Sequence, residues 1–207
     1  GAIFALLLLA VGSFDGLNET FFWLGILGLN PLEFPGRSAV VGPTLVGLGL
    51  SVVALVLIFV ASTWLGLRVA GVRGRLTLAV RLFAPAILPI ALGYHIAHYL
   101  TSFLVEGQYA LAALSDPLNS GADLLGLGQY SVTTGFMFQP GPVKVIWLTQ
   151  AGAVVIGHVI AIVLAHVLAL RLVQGGRGAM LSQLPLAVFM VAYTFFGLWL
   201  LAAPRGF

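Results

Sequence analysis

Four histidines stand inside apolar runs of this chain: His95 and His98 in GYHIAHY, then His158 and His166 in GHVIAIVLAH. An imidazole can carry a proton, ligate a metal or hold a haem, and each of these chemistries needs different neighbours. His95 and His98 are three apart, so on a helix they share a face and suit one metal ion. If their helix and that of His158 run in opposite directions, a rise of about 1.5 Å per residue puts all three within roughly 10 Å of a bilayer midplane. Three imidazoles leave one coordination position open, as in catalytic zinc sites, and the bound water then ionises near neutral pH. A zinc or copper ion held this way would deliver hydroxide to phosphorus or to a carbonyl. Asp116, Asp123 or Glu106 would serve as carboxylate ligand or general base, and Tyr94, Tyr99 or Tyr130 would stabilise developing charge, with Tyr99 a further catalytic candidate.

The same residues admit other chemistry. His158 facing His95 or His98 would ligate a single haem or a chlorophyll-type pigment, with His166 the other candidate ligand. The eight-residue interval from His158 to His166 is about 12 Å, too short for two stacked haems on one helix pair. The interval also sets His166 apart from the proposed metal set and makes it the inner station of a copper or proton pathway. A purely structural histidine, donating to a neighbouring carbonyl, would contribute roughly 1 kcal/mol to helix packing.

The elements that must position these groups follow from composition. Of 207 residues, 60% are hydrophobic and 7% are charged, where soluble domains carry roughly a quarter charged residues. Mean hydropathy is +1.11. Apolar runs near 20 residues cross a hydrocarbon layer of about 30 Å. The chain therefore reads as one all-α domain over residues 1–207, a polytopic membrane bundle of about five helices. The spans are 1–12 (the end of a truncated helix), 39–67, 76–105, 143–172 and 181–203, with outer loops at 13–38 and 106–142. Pro85 and Pro89 should kink the third span, because each removes a helix hydrogen bond. The apolar stretch Phe21 to Leu29 is too short to cross and reads as an interfacial helix, capped by Asn18. Glu33 and Arg37 could pair across the turn that follows it.

Charge orients the bundle. Arg68, Arg73, Arg75, Arg81, Arg171 and Arg177 fall at one face, and all six acids (Asp15, Glu19, Glu33, Glu106, Asp116 and Asp123) at the other. The positive-inside rule puts the arginine face in the cytoplasm of a bacterial inner membrane and the acidic loops outside. Six acids against Arg37, Lys144 and Arg205 give the outer face a formal charge near −3, suited to a basic partner. The partners implied are the lipid bilayer, such a basic protein and other membrane subunits. Nine scattered basic residues form no stripe for nucleic acid. With no Cys there is no disulfide and no thiolate ligand. Serine-hydrolase, Walker A and dinucleotide fingerprints are absent from the sequence.

The segments SFDGLNETFFWLGILGLNPLEFPGRSAVVG, GYHIAHYLTSFLVEGQY, SDPLNSGADLLG and GHVIAIVLAHVLALR together resemble a family of bacterial integral membrane proteins known as fenitrothion hydrolase. The resemblance covers most of the chain. It implies metal-assisted hydrolysis of an organophosphate or another apolar ester, and a longer polytopic parent. The alternatives from the residues themselves are a noncatalytic accessory subunit of an energy-transducing membrane complex, with structural or haem- or pigment-ligating histidines, and a copper or proton pathway.

Overall fold

The computed structural model describes residues 1–33, 37–128, 132–173 and 175–205, the Arg37 side chain excepted. Tyr130 and the expected Glu33–Arg37 pair lie outside the described residues. The chain is all-α. Its helices are α1 (Ala2–Asn18), α2 (Phe21–Ile26), α3 (Val41–Val69), α4 (Leu76–Phe83), α5 (Leu88–Ser115), α6 (Pro140–Leu172) and α7 (Gly176–Ala202). Among the described residues four helices are long and apolar enough to cross a membrane: α3, the α4–α5 unit, α6 and α7. At 17 residues α1 is shorter, about 25 Å by the helical rise.

The distribution of polarity is that of a membrane protein. Val46, Leu50, Val53 and Leu57 recur every three or four residues along α3 and are all more than half exposed, whereas Ser13, Thr63, His158 and Ser182 are buried. A bundle with an apolar coat and polar groups inside is suited to lipid, which covers an apolar stripe that would otherwise face water.

Small residues bring the helices together. Gly157, Ala161, Ala165 and Ala169 form a buried four-residue repeat on α6. Gly157 meets Pro89 and Ile90 at the start of α5, and Gly93 of α5 meets Ala153 and Val154 one turn earlier on α6. A Cβ on Gly157 would lie 2.5 Å from the Pro89 carbonyl oxygen, and one on Gly93 would lie 2.6 Å from that of Ala153. The two backbones therefore touch, as small-residue helix interfaces in lipid require. Gly66 of α3 meets the Ser182 carbonyl of α7 in the same way. Across the α5–α6 seam the Gln150 amide donates to the Ala97 carbonyl at 2.7 Å and to the Thr101 hydroxyl at 3.2 Å.

Pro85 and Pro89 act as expected. Helix α4 stops at Phe83, a 3-10 turn occupies Ala84–Ile87, and α5 begins at Leu88, because neither proline supplies the amide that an α-helix would need there. Three other boundaries differ from expectation. The first helix runs to Asn18 and not to 12, since Ser13 and Phe14 stay in register with the buried Leu6, Leu9 and Ala10. The third span runs to Ser115, so Glu106 is on a helix and not in a loop. The cap of α2 is Thr20, whose hydroxyl accepts from the Trp23 amide at 3.2 Å; Asn18 instead donates to the Phe14 and Asp15 carbonyls.

The two charge sets occupy opposite ends. Arg75, after α3, donates to the Leu172 carbonyl at the end of α6. At the other end Arg205 reaches Glu19 at 3.7 Å, and the Phe21 amide donates to the Pro204 carbonyl at 2.9 Å, closing the α1–α2 turn onto the end of α7.

Candidate functional site

Extending α1 to Asn18 carries Asp15 from the expected loop into the bundle, and this creates the most polar contact in it. His98 Nε2 lies 2.9 Å from Asp15 Oδ2, with side-chain exposures of 14% and 39%. The Tyr99 hydroxyl donates to the same carboxylate oxygen at 3.1 Å, and the His98 and Tyr99 rings meet edge to face with centroids 4.6 Å apart. Gly12 and Gly16 of α1 admit the histidines. A Cβ at Gly12 would lie 3.0 Å from His95 Cε1, and one at Gly16 would lie 3.8 Å from His98 Nδ1. Next to His98 is a cavity of about 20 Å³ bounded by Gly12, Gly16, Tyr94, Gly197 and Arg205. A void above about 10–15 Å³ holds one water.

Deeper in the bundle the polar groups are neutral. The Tyr94 hydroxyl fits over Gly197 and donates to the Tyr193 carbonyl at 2.9 Å. Tyr193 donates to Ser13 at 2.7 Å, and Ser13 to the Leu9 carbonyl at 2.7 Å. His158, only 3% exposed, donates Nδ1–H to the Val154 carbonyl at 2.7 Å, and its ring lies 6.2 Å from that of Tyr94. Its Nε2 is buried without a partner. His95 repeats the pattern, with Nδ1 on the Ala91 carbonyl at 2.8 Å. A carbonyl only accepts, so both rings carry a proton at Nδ1; the neutral ring then presents Nε2 as a lone pair, the tautomer that bases and metal ligands use.

The expected trio does not assemble. His95 and His98 face α1, whereas His158 sits beside Tyr94, one residue and about 100° around α5 from His95. Among the described residues no three His, Asp or Glu side chains are grouped to hold a metal. His166 is in a separate place, its Nδ1 2.5 Å from the Gln183 amide. Glu106 is exposed. Asp116 and Asp123 organise the loop after α5. Asp116 accepts from the Ser120 and Gly121 amides at 2.8 and 2.7 Å, and Asp123 from the Leu127 and Gly128 amides at 2.7 and 2.8 Å and from the Ser115 hydroxyl. Those backbone donors, Ser120 first for Asp116 and Gly128 first for Asp123, hold both carboxyls below the usual range.

Asp15, Tyr193, Ser13 and Gln183 are the residues that sequence reasoning missed. The signal for Asp15 was available, in apolar spacing that continues through Phe14 and Leu17 past the expected helix end.

The fold and this interior define a membrane-type all-α bundle with a histidine–carboxylate–tyrosine site at its acidic end. Comparison with protein-family models, with curated proteins and with solved structures finds no match.

Proposed function

We propose that this chain is a proton-handling membrane protein whose working centre is Asp15, His98 and Tyr99. The observation that carries this reading is the 2.9 Å contact of His98 Nε2 with a carboxylate that also accepts from Tyr99. Ionisable groups within a membrane are costly and concentrate where protons or ions move. In this arrangement the Asp15 carboxylate accepts from Tyr99 and from His98 Nε2–H, which leaves His98 Nδ1 to exchange a proton with the water-sized cavity beside it. Asp15 stabilises the imidazolium and fixes the ring. The positive-inside rule places this centre toward the outer surface and the arginine end in the cytoplasm.

The test is NMR of the His98 ring in nanodiscs, wild type beside Asp15→Asn. Removing the carboxylate should weaken the hydrogen bond at His98 Nε2, seen as an upfield shift of the Nε2 proton. Ring signals unchanged in Asp15→Asn would sink the reading.

A second reading, hydrolysis of an apolar ester, has its own observation. A groove of about 310 Å³, lined by His95, Ile96, Tyr99, Leu100 and Phe103, opens on the lipid-facing side. His95 lines it, and its Nε2, the nitrogen not held by the Ala91 carbonyl, would take the proton of a water attacking the ester. Tyr99 cannot donate to the developing oxyanion while it donates to Asp15, which is why this reading stands second. Hydrolysis of a lipophilic phosphotriester that disappears in His95→Gln and survives in Asp15→Asn would put it first.

A further inference from the structure

The opposite end of the bundle holds a cavity of about 520 Å³ between the last turn of α3 and the start of α4. Its floor is Leu67, Val72 and Leu76, and Trp64, Arg68 and Arg73 stand around it. The volume lies within the roughly 300–1,000 Å³ of small-molecule sites. The Arg68 guanidinium lies over the Trp64 ring, 5.1 Å from its centroid. Neither Arg68 nor Arg73 has a carboxylate partner among the described residues, and none can come from nearby, since all six acids of the chain lie at or toward the other end. Both arginines are exposed, so an anion from the surroundings can reach them. Trp64 lies one turn inside Arg68 on a spanning helix, the depth at which interfacial aromatic rings meet headgroups. An apolar floor beneath two unneutralised guanidiniums, at that depth, fits a molecule with a phosphate above and acyl chains below.

We propose that this cavity binds the phosphate headgroup of an anionic phospholipid. Arg68, held flat by Trp64, offers a planar donor fork to the phosphate oxygens, Arg73 closes on it from the α3–α4 turn, and Leu67, Val72 and Leu76 cover the glycerol and first methylenes. The site is independent of the Asp15–His98 centre and stands if that reading fails.

Native mass spectrometry of the detergent-released protein, titrated with phosphatidylglycerol or phosphatidylcholine, tests it. One phosphatidylglycerol per chain should be retained, with affinity falling about fivefold for Arg68→Gln or Arg73→Gln singly and about 25-fold for both, from roughly 1 kcal/mol per basic residue at a headgroup. Arg177→Gln, an exposed arginine at the same end but outside the cavity, should bind as wild type. The Arg68→Lys, Arg73→Lys double variant keeps the charge, so recovery of part of the affinity there separates binding from misfolding. Equal loss in Arg177→Gln, equal binding of phosphatidylcholine, or displacement of the lipid by millimolar inorganic phosphate would each overturn the assignment, the last in favour of a free-phosphate site.

Discussion

Helix α5 meets its neighbours across two seams of opposite character. Toward α6 it presents Gly93 and Ala97, and the two backbones touch with little side chain between them. Toward α1 it presents His95, His98 and Tyr99, and the contact runs through ionisable atoms. Both seams depend on glycine, but for different purposes. Gly93 and Gly157 remove side chains so that backbones can approach; Gly12 and Gly16 remove them so that imidazoles can enter. His158 and His98 mark the contrast. The more deeply buried ring has only a backbone carbonyl for company, and the one nearer the bundle's end has a carboxylate. In a low-dielectric interior a charge is tolerable beside a counter-charge and close to water, which is the situation of His98 and not of His158.

The dry seam should break hardest. In Gly157→Ala the new Cβ meets the Pro89 carbonyl oxygen, and in Gly93→Ala that of Ala153; both obstacles are backbone and cannot rotate away. Each change should cost about 3 kcal/mol, the upper range for overpacking, read as loss of the folded bundle in denaturing-detergent titration. A cost below 1 kcal/mol in both would mean that the helices are not in backbone contact.

The polar seam should be weaker structurally and stronger functionally. Hydrogen bonds to a charged group contribute about 1.5–3 kcal/mol, but Asp15 is 39% exposed, so solvent screening leaves about 1 kcal/mol for Asp15→Asn in the same titration. Its larger effect should be on the hydrogen bond at His98 Nε2, and a variant that lost 3 kcal/mol with unaltered His98 ring signals would make Asp15 a structural residue.

His158 sharpens the contrast from the other side. Its side chain makes one hydrogen bond, to its own helix, and leaves Nε2 unpartnered. His158→Leu removes both the bond and the orphan, so stability should change by less than about 1 kcal/mol. A larger loss, or the release of a bound metal or haem from the wild type alone, would show that Nε2 serves as a ligand.

What was legible in the sequence divides along physical lines. The all-α class, the helix order and the break at Pro85 and Pro89 follow from hydropathy and missing amides, which are local. So does the gathering of acids and arginines at opposite ends, because every charge but Glu106 sits in a connection or near a helix end. The site was legible only in its residue types. His95 and His98 were rightly placed on one face, but which neighbour that face meets depends on packing, and it meets α1. Ending the first helix at 12 concealed Asp15, the partner that α1 supplies. Asp116 and Asp123 misled for the converse reason: an acid in a Gly- and Asn-rich turn is usually occupied by backbone amides close in sequence, and these two are.

Those two carboxylates supply the smallest predicted effect and a control for Asp15. Asp123 is exposed and Asp116 partly so, and backbone amides hold each below the ordinary value of 3.8. The sign follows from linkage: with the folded pKa below the unfolded one, the contribution to loop order is complete above about pH 4 and is lost as pH falls through the folded value. In ¹³C spectra Asp116 and Asp123 Cγ should therefore titrate below 3.8, with the Gly121 and Gly128 amides moving in step, while His98 and the helical amides around it do not respond to Asp116→Asn or Asp123→Asn. If either substitution moved the His98 ring signals as far as Asp15→Asn does, the loop and the bundle interior would be one electrostatic unit, and the distinction between the acidic cap and the Asp15 centre would have to be abandoned.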